Sequence, residues 1–263
     1  MLNLRGKWAS LLYAAKAQSV IVLAAPSWRP SVIPRSTLWG AIGLIISACA
    51  HAATPPAKVP DTIAQRVVAC TTCHGKEGRA TSEGYFPRIA GKPSGYLYNQ
   101  LVNFRDGRRE YALMTYLVEH LTDDYLREIA LYFAGLDVAY PPPQTPSASQ
   151  QVLTRGQALA RDGDRSRNIP SCTRCHGLTL TGVNPSIPGL LGLPRDYLVA
   201  QLGRWKTGER RTRAPDCMAK IAAELAPEEI AAISAWLAAQ PVPSNARPAT
   251  SLPGPLPVPC NGV

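Results

Sequence analysis

Cys70-Thr71-Thr72-Cys73-His74-Gly75 and Cys172-Thr173-Arg174-Cys175-His176-Gly177 are the two stretches on which the reading of this 263-residue chain turns. Each is a Cys-x-x-Cys-His run, the pattern of covalent c-type haem attachment. The order of residues follows from the chemistry. Two thiols three residues apart on a helical turn reach the two vinyl groups of one haem, and the adjacent imidazole supplies an axial nitrogen to its iron. Other meanings of Cys-x-x-Cys fit less well. A zinc site wants two pairs close in sequence, and these lie about a hundred residues apart. A thioredoxin-like dithiol wants a βαβ context, which the flanking sequence lacks.

Working outward from the motifs, the second half of the chain repeats the first. Phe86-Pro87-Arg88-Ile89-Ala90-Gly91 answers Ile187-Pro188-Gly189-Leu190-Leu191-Gly192. Tyr96-Leu97-Tyr98-Asn99-Gln100-Leu101 answers Tyr197-Leu198-Val199-Ala200-Gln201-Leu202. Phe104 through Arg109 answers Trp205 through Arg210, and Met114 falls opposite Met218, with offsets of 101 to 104. Two copies of one unit explain this better than one large domain. The expected organisation is a leader over 1–53, a first domain over 54–137, a proline-rich linker over 138–149, a second domain over 150–240 and a tail over 241–263. The linker Tyr140-Pro141-Pro142-Pro143 is stiff. The tail carries seven prolines and is expected as extended chain on the surface, or as partly disordered.

Within each copy the pattern is helical. Thr122 can cap a helix opened by Asp123 and Asp124, whose charges suit its N-terminus. Leu126, Ile129, Ala130 and Phe133 then share one face. In the second copy Pro227 suits a first turn beside Glu228 and Glu229, with Ile230, Ile233 and Leu237 on the apolar face. Shorter helices are expected around 96–104 and 197–205, and further ones over 61–70 and 150–161. No convincing pair of alternating strands is present, so the fold class is all-α. A unit of roughly 80 residues makes a thin core, which a covalent haem would fill and staple.

His74 and His176 are the expected proximal ligands. Met114 and Met218 are the methionines beyond the leader, 40 and 42 residues after their histidines. That matched placement favours His/Met coordination over plastic core filling, and a thioether ligand raises the reduction potential. His120 is a competing ligand, but its repeat counterpart is Glu224 and a surface role fits better. Cys217, beside Met218, could ligate as a thiolate. A Cys217–Cys260 disulfide is the stronger reading for an exported chain. Pro87 and Pro188 stand where their carbonyls can accept the other imidazole N–H. Arg109 and Arg210 are candidates for pairing with haem propionates, with solvated surface charge the equal alternative. Tyr96, Phe104, Tyr197 and Trp205 would pack on porphyrin or on neighbouring helices.

The charge of +10 is uneven: 28 basic residues face 18 acidic ones, but residues 1–53 hold five basic and no acidic residues, leaving 23 against 18, or +5. Haem propionates would bring the rest near neutrality, so the charge does not indicate nucleic-acid binding. Arg29 and Arg35, the apolar run 38–48 and the small residues up to Ala53 read as an export signal. Lipidation at Cys49 and an uncleaved anchor are the alternatives. The expected compartment is the periplasm, with peripheral membrane association left open.

On Cys70–Gly75, Cys172–Gly177, Pro87-Arg88-Ile89-Ala90-Gly91, the paired Tyr-Leu and Gln-Leu steps and the two methionines, the chain resembles the cytochrome c4 family over roughly residues 60–240. The resemblance implies two tandem class I cytochrome c domains, each wrapped around a covalent c-type haem, meeting near a pseudo-twofold interface. It implies outer-sphere electron carriage among redox protein partners: a quinol-oxidising complex, a terminal oxidase or a dehydrogenase. An electron-accepting subunit of a dehydrogenase complex is the alternative, ahead of a dihaem peroxidase or sulfur-compound oxidase. The stretch Asp162–Asn168, Asp216-Cys217-Met218 and the long tail depart from the family pattern.

Overall fold

The helix expected over 61–70 forms in two pieces. Thr62 caps α1 (Ile63–Arg66), its hydroxyl accepting the Gln65 N–H at 3.3 Å. Val67 then leaves helical geometry at φ −88°, ψ 5°, and α2 (Val68–His74) begins. Val67 is 1% exposed, so core burial of this side chain accompanies the break. The structure, a computed structural model, describes residues 59–81 and 84–261. The leader and Cys49 lie outside them, as do the last two residues. No helix among the described residues is long and apolar enough to cross a membrane.

The first copy continues with α3 (Ser94–Arg105), α4 (Ala112–Val118) and α5 (Asp123–Ala134). Thr122 caps α5, with Asp123 and Asp124 in its first turn. Leu126, Ile129, Ala130 and Phe133 form its buried stripe, which packs on α3 and α1. Each such large apolar side chain contributes about 1.5–3 kcal/mol by leaving water.

The second copy holds α6 (Gln150–Arg161), α7 (Thr173–His176), α8 (Arg195–Thr207), α9 (Cys217–Glu224) and α10 (Pro227–Ala238). Between α7 and α8 lie two short strands, β1 (Gly182–Val183) and β2 (Ile187–Pro188), paired antiparallel with Gly182 opposite Pro188. They leave the all-α class in place. Two residues cannot display the alternation by which a strand is recognised. α10 is buried on every side from Ala232 to Ala238, because α6 and α8 both pack on it. Gly156 lets α6 approach closely, since a Cβ there would lie 2.1 Å from the Ala232 carbonyl oxygen.

The segment Asp162–Asn168 is a structured addition. Asp164 accepts from Ser166 and Arg167. Arg167 and Arg155 then converge on the Glu229 carboxylate of α10. The linker is pinned at both ends. Buried Arg88 donates to the carbonyls of Ala90, Val138 and Ala139 and stacks 3.9 Å from the Tyr140 ring centroid. Further on, the Gln144 N–H donates to the Ala238 carbonyl at 2.9 Å. Both copies belong to one contact unit, Val59–Val263.

Candidate haem sites

Each attachment motif ends a helix on its histidine, and each histidine is buried, at 9% exposure for His74 and 8% for His176. His74 Nδ1 lies 2.8 Å from the Pro87 carbonyl oxygen, and His176 Nδ1 lies 2.7 Å from that of Pro188. A carbonyl can only accept, so Nδ1 carries the hydrogen and donates it. The Nε2 lone pair of each ring is thereby left for a metal. Burial lowers both imidazole pKa values, against the opposing pull of the proline contact. Both rings are therefore held neutral, as an iron ligand must be. Gly75 follows at φ +75°, where a Cβ would lie 2.2 Å from the Ala80 oxygen, so the turn that returns the chain toward Pro87 requires glycine.

The four motif cysteines carry no disulfide. Burial raises the thiol pKa of Cys70 and Cys175, and pushes that of Cys172 up to about 12. Thiols so protonated are poor nucleophiles or redox dithiols, and they leave the helix free to present both sulfurs to a prosthetic group.

At the second site Cys175, His176, Pro188, Trp205, Met218 and Ile221 line one cavity of ≈ 910 Å³, counted to the open solvent at its mouth. That lies within the range of small-molecule and cofactor pockets. Tyr96 and Gln100 of the first copy and Leu256 and Val258 of the tail complete its walls. At the first site Met114, on α4, packs against Val102, Phe104, Val118 and Leu126, and the His74 ring meets Phe86 edge-on at 6.1 Å. His120 is on the surface, its side chain 90% exposed beside Glu119. Cys217 and Cys260 are disulfide-bonded, so Cys217 holds no free thiol.

Arg109 and Arg210 meet between the copies, where their backbones form an antiparallel bridge. Arg109 donates to Gln100 of its own copy at 3.0 Å and to Gln201 of the other at 2.8 Å. Arg210 reciprocates, with Gln201 at 2.7 Å and Gln100 at 2.9 Å. Their guanidinium groups also stack on Phe104 and Trp205. The surface-charge alternative for Arg210 is thus replaced by burial at 3% exposure, which lowers its pKa to about 10. Sequence reading missed Gln100 and Gln201 as partners, although both stand in the repeated Gln-Leu step. It also missed Lys92, whose buried ammonium bonds the Gly189 carbonyl across the interface at 2.9 Å.

These residues suit a haem. Both arginines donate to amides, and Arg109 also to a phenol, rather than to carboxylates. Arg210 Nε and Trp205 Nε1 are buried without a partner. Unpaired buried donors carry a cost, and here they gather beside the cavity that holds His176 and Met218. A propionate-bearing macrocycle would offer acceptors there.

No protein-family model matches the chain. It is 34% identical over 173 residues to a protein named thiosulfate dehydrogenase electron acceptor from Thiomonas intermedia, covering 66% of this chain and 79% of that one. It is 32% identical over 174 residues to cytochrome c4 of Pseudomonas aeruginosa, covering 65% and 84%. Among solved structures, reduced cytochrome c4 from Pseudomonas stutzeri superposes with a TM-score of 0.58 at 28% identity, covering 66% of this chain and 95% of that one.

Proposed function

The chain belongs to the cytochrome c4 family of dihaem electron carriers, and from that premise we propose the residues that make it one. Cys70 and Cys73 tether the first haem and Cys172 and Cys175 the second. His74 and His176 are the proximal ligands, and Met114 and Met218 the distal ones. The haem supplies one-electron chemistry; the chain sets its potential and orientation. Pro87 and Pro188 fix the ring tautomer and so keep each Nε2 available. Arg109 and Arg210 hold propionate charge at the interface, with Trp205 as a further donor at the second site. With an imidazole and a thioether of this chain committed to each haem, no position would be left for a substrate, and the chain would serve outer-sphere transfer through small, transient encounters. The leader pattern supports export to the periplasm.

The observation that carries this reading is that Met218, His176, Cys175 and Pro188 line a single cavity. The imidazole–proline bond there recurs at the first copy. A redox titration of the isolated holoprotein followed by absorbance tests it. Two haems per chain with a Met–iron charge-transfer band in the ferric state are expected at both sites. A high-spin ferric site that binds cyanide at once would sink the closed-carrier assignment and favour the enzyme alternative.

A second reading has its own support. Two relatives are named thiosulfate dehydrogenase electron acceptor, which favours service to a dehydrogenase over a general respiratory shuttle. Mixing the oxidised protein with a thiosulfate dehydrogenase and thiosulfate should then reduce both haems within the enzyme's turnover time. Reduction no faster than without the enzyme would reject it.

A further inference from the structure

The two methionine helices meet different surroundings. On α4, beside Met114, stand Leu113, Tyr116 and Leu117. The corresponding positions on α9 are Cys217, Lys220 and Ile221. There Cys217 is bonded to Cys260, and Ile221 lines the cavity and packs on the core of the second copy.

The difference is made by the tail, which is tied down at three places. The Ala249 N–H donates to the Gly182 carbonyl at 2.9 Å, and the Asn184 N–H donates to the Ala249 carbonyl at 2.8 Å. Arg174, between the two motif cysteines, donates to the Pro255 carbonyl at 3.2 Å. Beside the disulfide, the Asn261 N–H and side-chain amide donate to the carbonyls of Pro215 and Ala214 at 3.0 and 2.9 Å. Between the second and third ties, Leu256 and Val258 face the cavity that holds His176 and Met218. A proline-rich segment loses little chain entropy on ordering, so a few ties and one covalent bond hold it. Among the described residues nothing comparable crosses the first site. Thr72, the counterpart of Arg174, bonds the Val68 carbonyl of its own helix.

We propose that the C-terminal tail, latched by Cys217–Cys260, is a built-in cover over the outer edge of the second haem site. Among the described residues the first site carries no such cover. This inference rests on the electron-carrier reading. It adds an asymmetry between the two sites, the second being screened from solvent by the chain's own tail.

The test uses full-length ferrous holoprotein and a soluble gadolinium chelate, with NMR relaxation of the haem resonances as readout. First-site resonances should broaden several-fold more than second-site ones. Equal broadening, or stronger broadening at the second site, overturns the cover. In a chain ending at residue 249 and carrying Cys217→Ser, the second site should broaden like the first; a second site still protected overturns it too. Should that variant fail to fold, the intact protein alone decides. Haem count and ligation, read separately by absorbance, report on the electron-carrier reading whatever the outcome here.

Discussion

Replacing Glu229 with glutamine should destabilise the protein by about 2 kcal/mol at pH 7. The Glu229 carboxylate accepts from Arg155 at 2.5 Å, from Arg167 at 2.7 and 3.0 Å, and from the Ala226 N–H at 3.1 Å. Its side chain is 12% exposed. The Arg167 hydrogen bond is the main cause that holds its pKa down to about 2, against an ordinary 4.5. A shift of about 2.5 corresponds to at most about 3.4 kcal/mol at neutral pH. The partner side chains are 47% and 35% exposed, and solvent screening reduces the figure to about 2 kcal/mol. Glutamine keeps an oxygen for the Ala226 N–H and the same shape, so the loss isolates the charge. The sign follows from the lowered pKa. The stabilisation is complete above the unfolded value near 4.5 and is lost as pH falls toward 2. Urea denaturation of holoprotein and variant at pH 7, 5 and 3 measures the gap, urea being preferred because guanidinium would screen it. A gap below about 0.5 kcal/mol at pH 7, or one as large at pH 3 as at pH 7, would refute the reasoning.

Three further outcomes are expected. Gly156→Ala forces α6 and α10 apart, because the added Cβ would sit 2.1 Å from the Ala232 oxygen. Overpacking of about 1–3 kcal/mol outweighs alanine's helix preference, so Tm in a thermal melt should fall by several degrees; an unchanged or higher Tm contradicts this. Lys92 is held to a pKa of about 7 by burial, so the unfolded chain binds more protons between pH 7 and about 10.5. Stability should rise with pH across that window in the native protein but not in Lys92→Met, as paired denaturation curves will show. Gln100→Leu with Gln201→Leu strips Arg210 of its paired amide acceptors at 2.7 and 2.9 Å. A loss of about 2 kcal/mol or more in urea denaturation is expected, and a neutral double variant would show the amides to be dispensable.

The features legible in the sequence were those with a local cause. Thr122 and Pro227 mark helix starts because capping depends on residues within one turn, and both open the helices observed. The Pro87 and Pro188 carbonyls were found because the chain returns to its own histidine within 12 or 13 residues. Val67 was missed as a break because its apolar character fits a continuous helix equally well. The partners of Lys92 and Arg88 were not legible, since nothing nearby in sequence shows that a carbonyl about 97 or 50 residues away will satisfy them. The arginine–glutamine exchange escaped for the same reason. Its residues were each quoted within the repeat, but pairing between copies leaves no spacing to read. The tail's ladder with Gly182 joins segments 67 residues apart in sequence and has no periodic pattern.

In the exchange between the copies, each glutamine takes one arginine from its own half and one from the other. That self-complementary pattern is the one an isologous two-fold dimer must have. Here the two halves are joined by a short, pinned segment, so their association is an intramolecular event. A tether of this kind sets an effective concentration on the order of millimolar. An interface of only about −4 kcal/mol, half dissociated at millimolar concentration between free chains, becomes competitive with opening in the joined form. The distance between the two redox centres is therefore independent of how dilute the protein becomes, and electron exchange between them keeps the same rate from the crowded cell to a nanomolar assay.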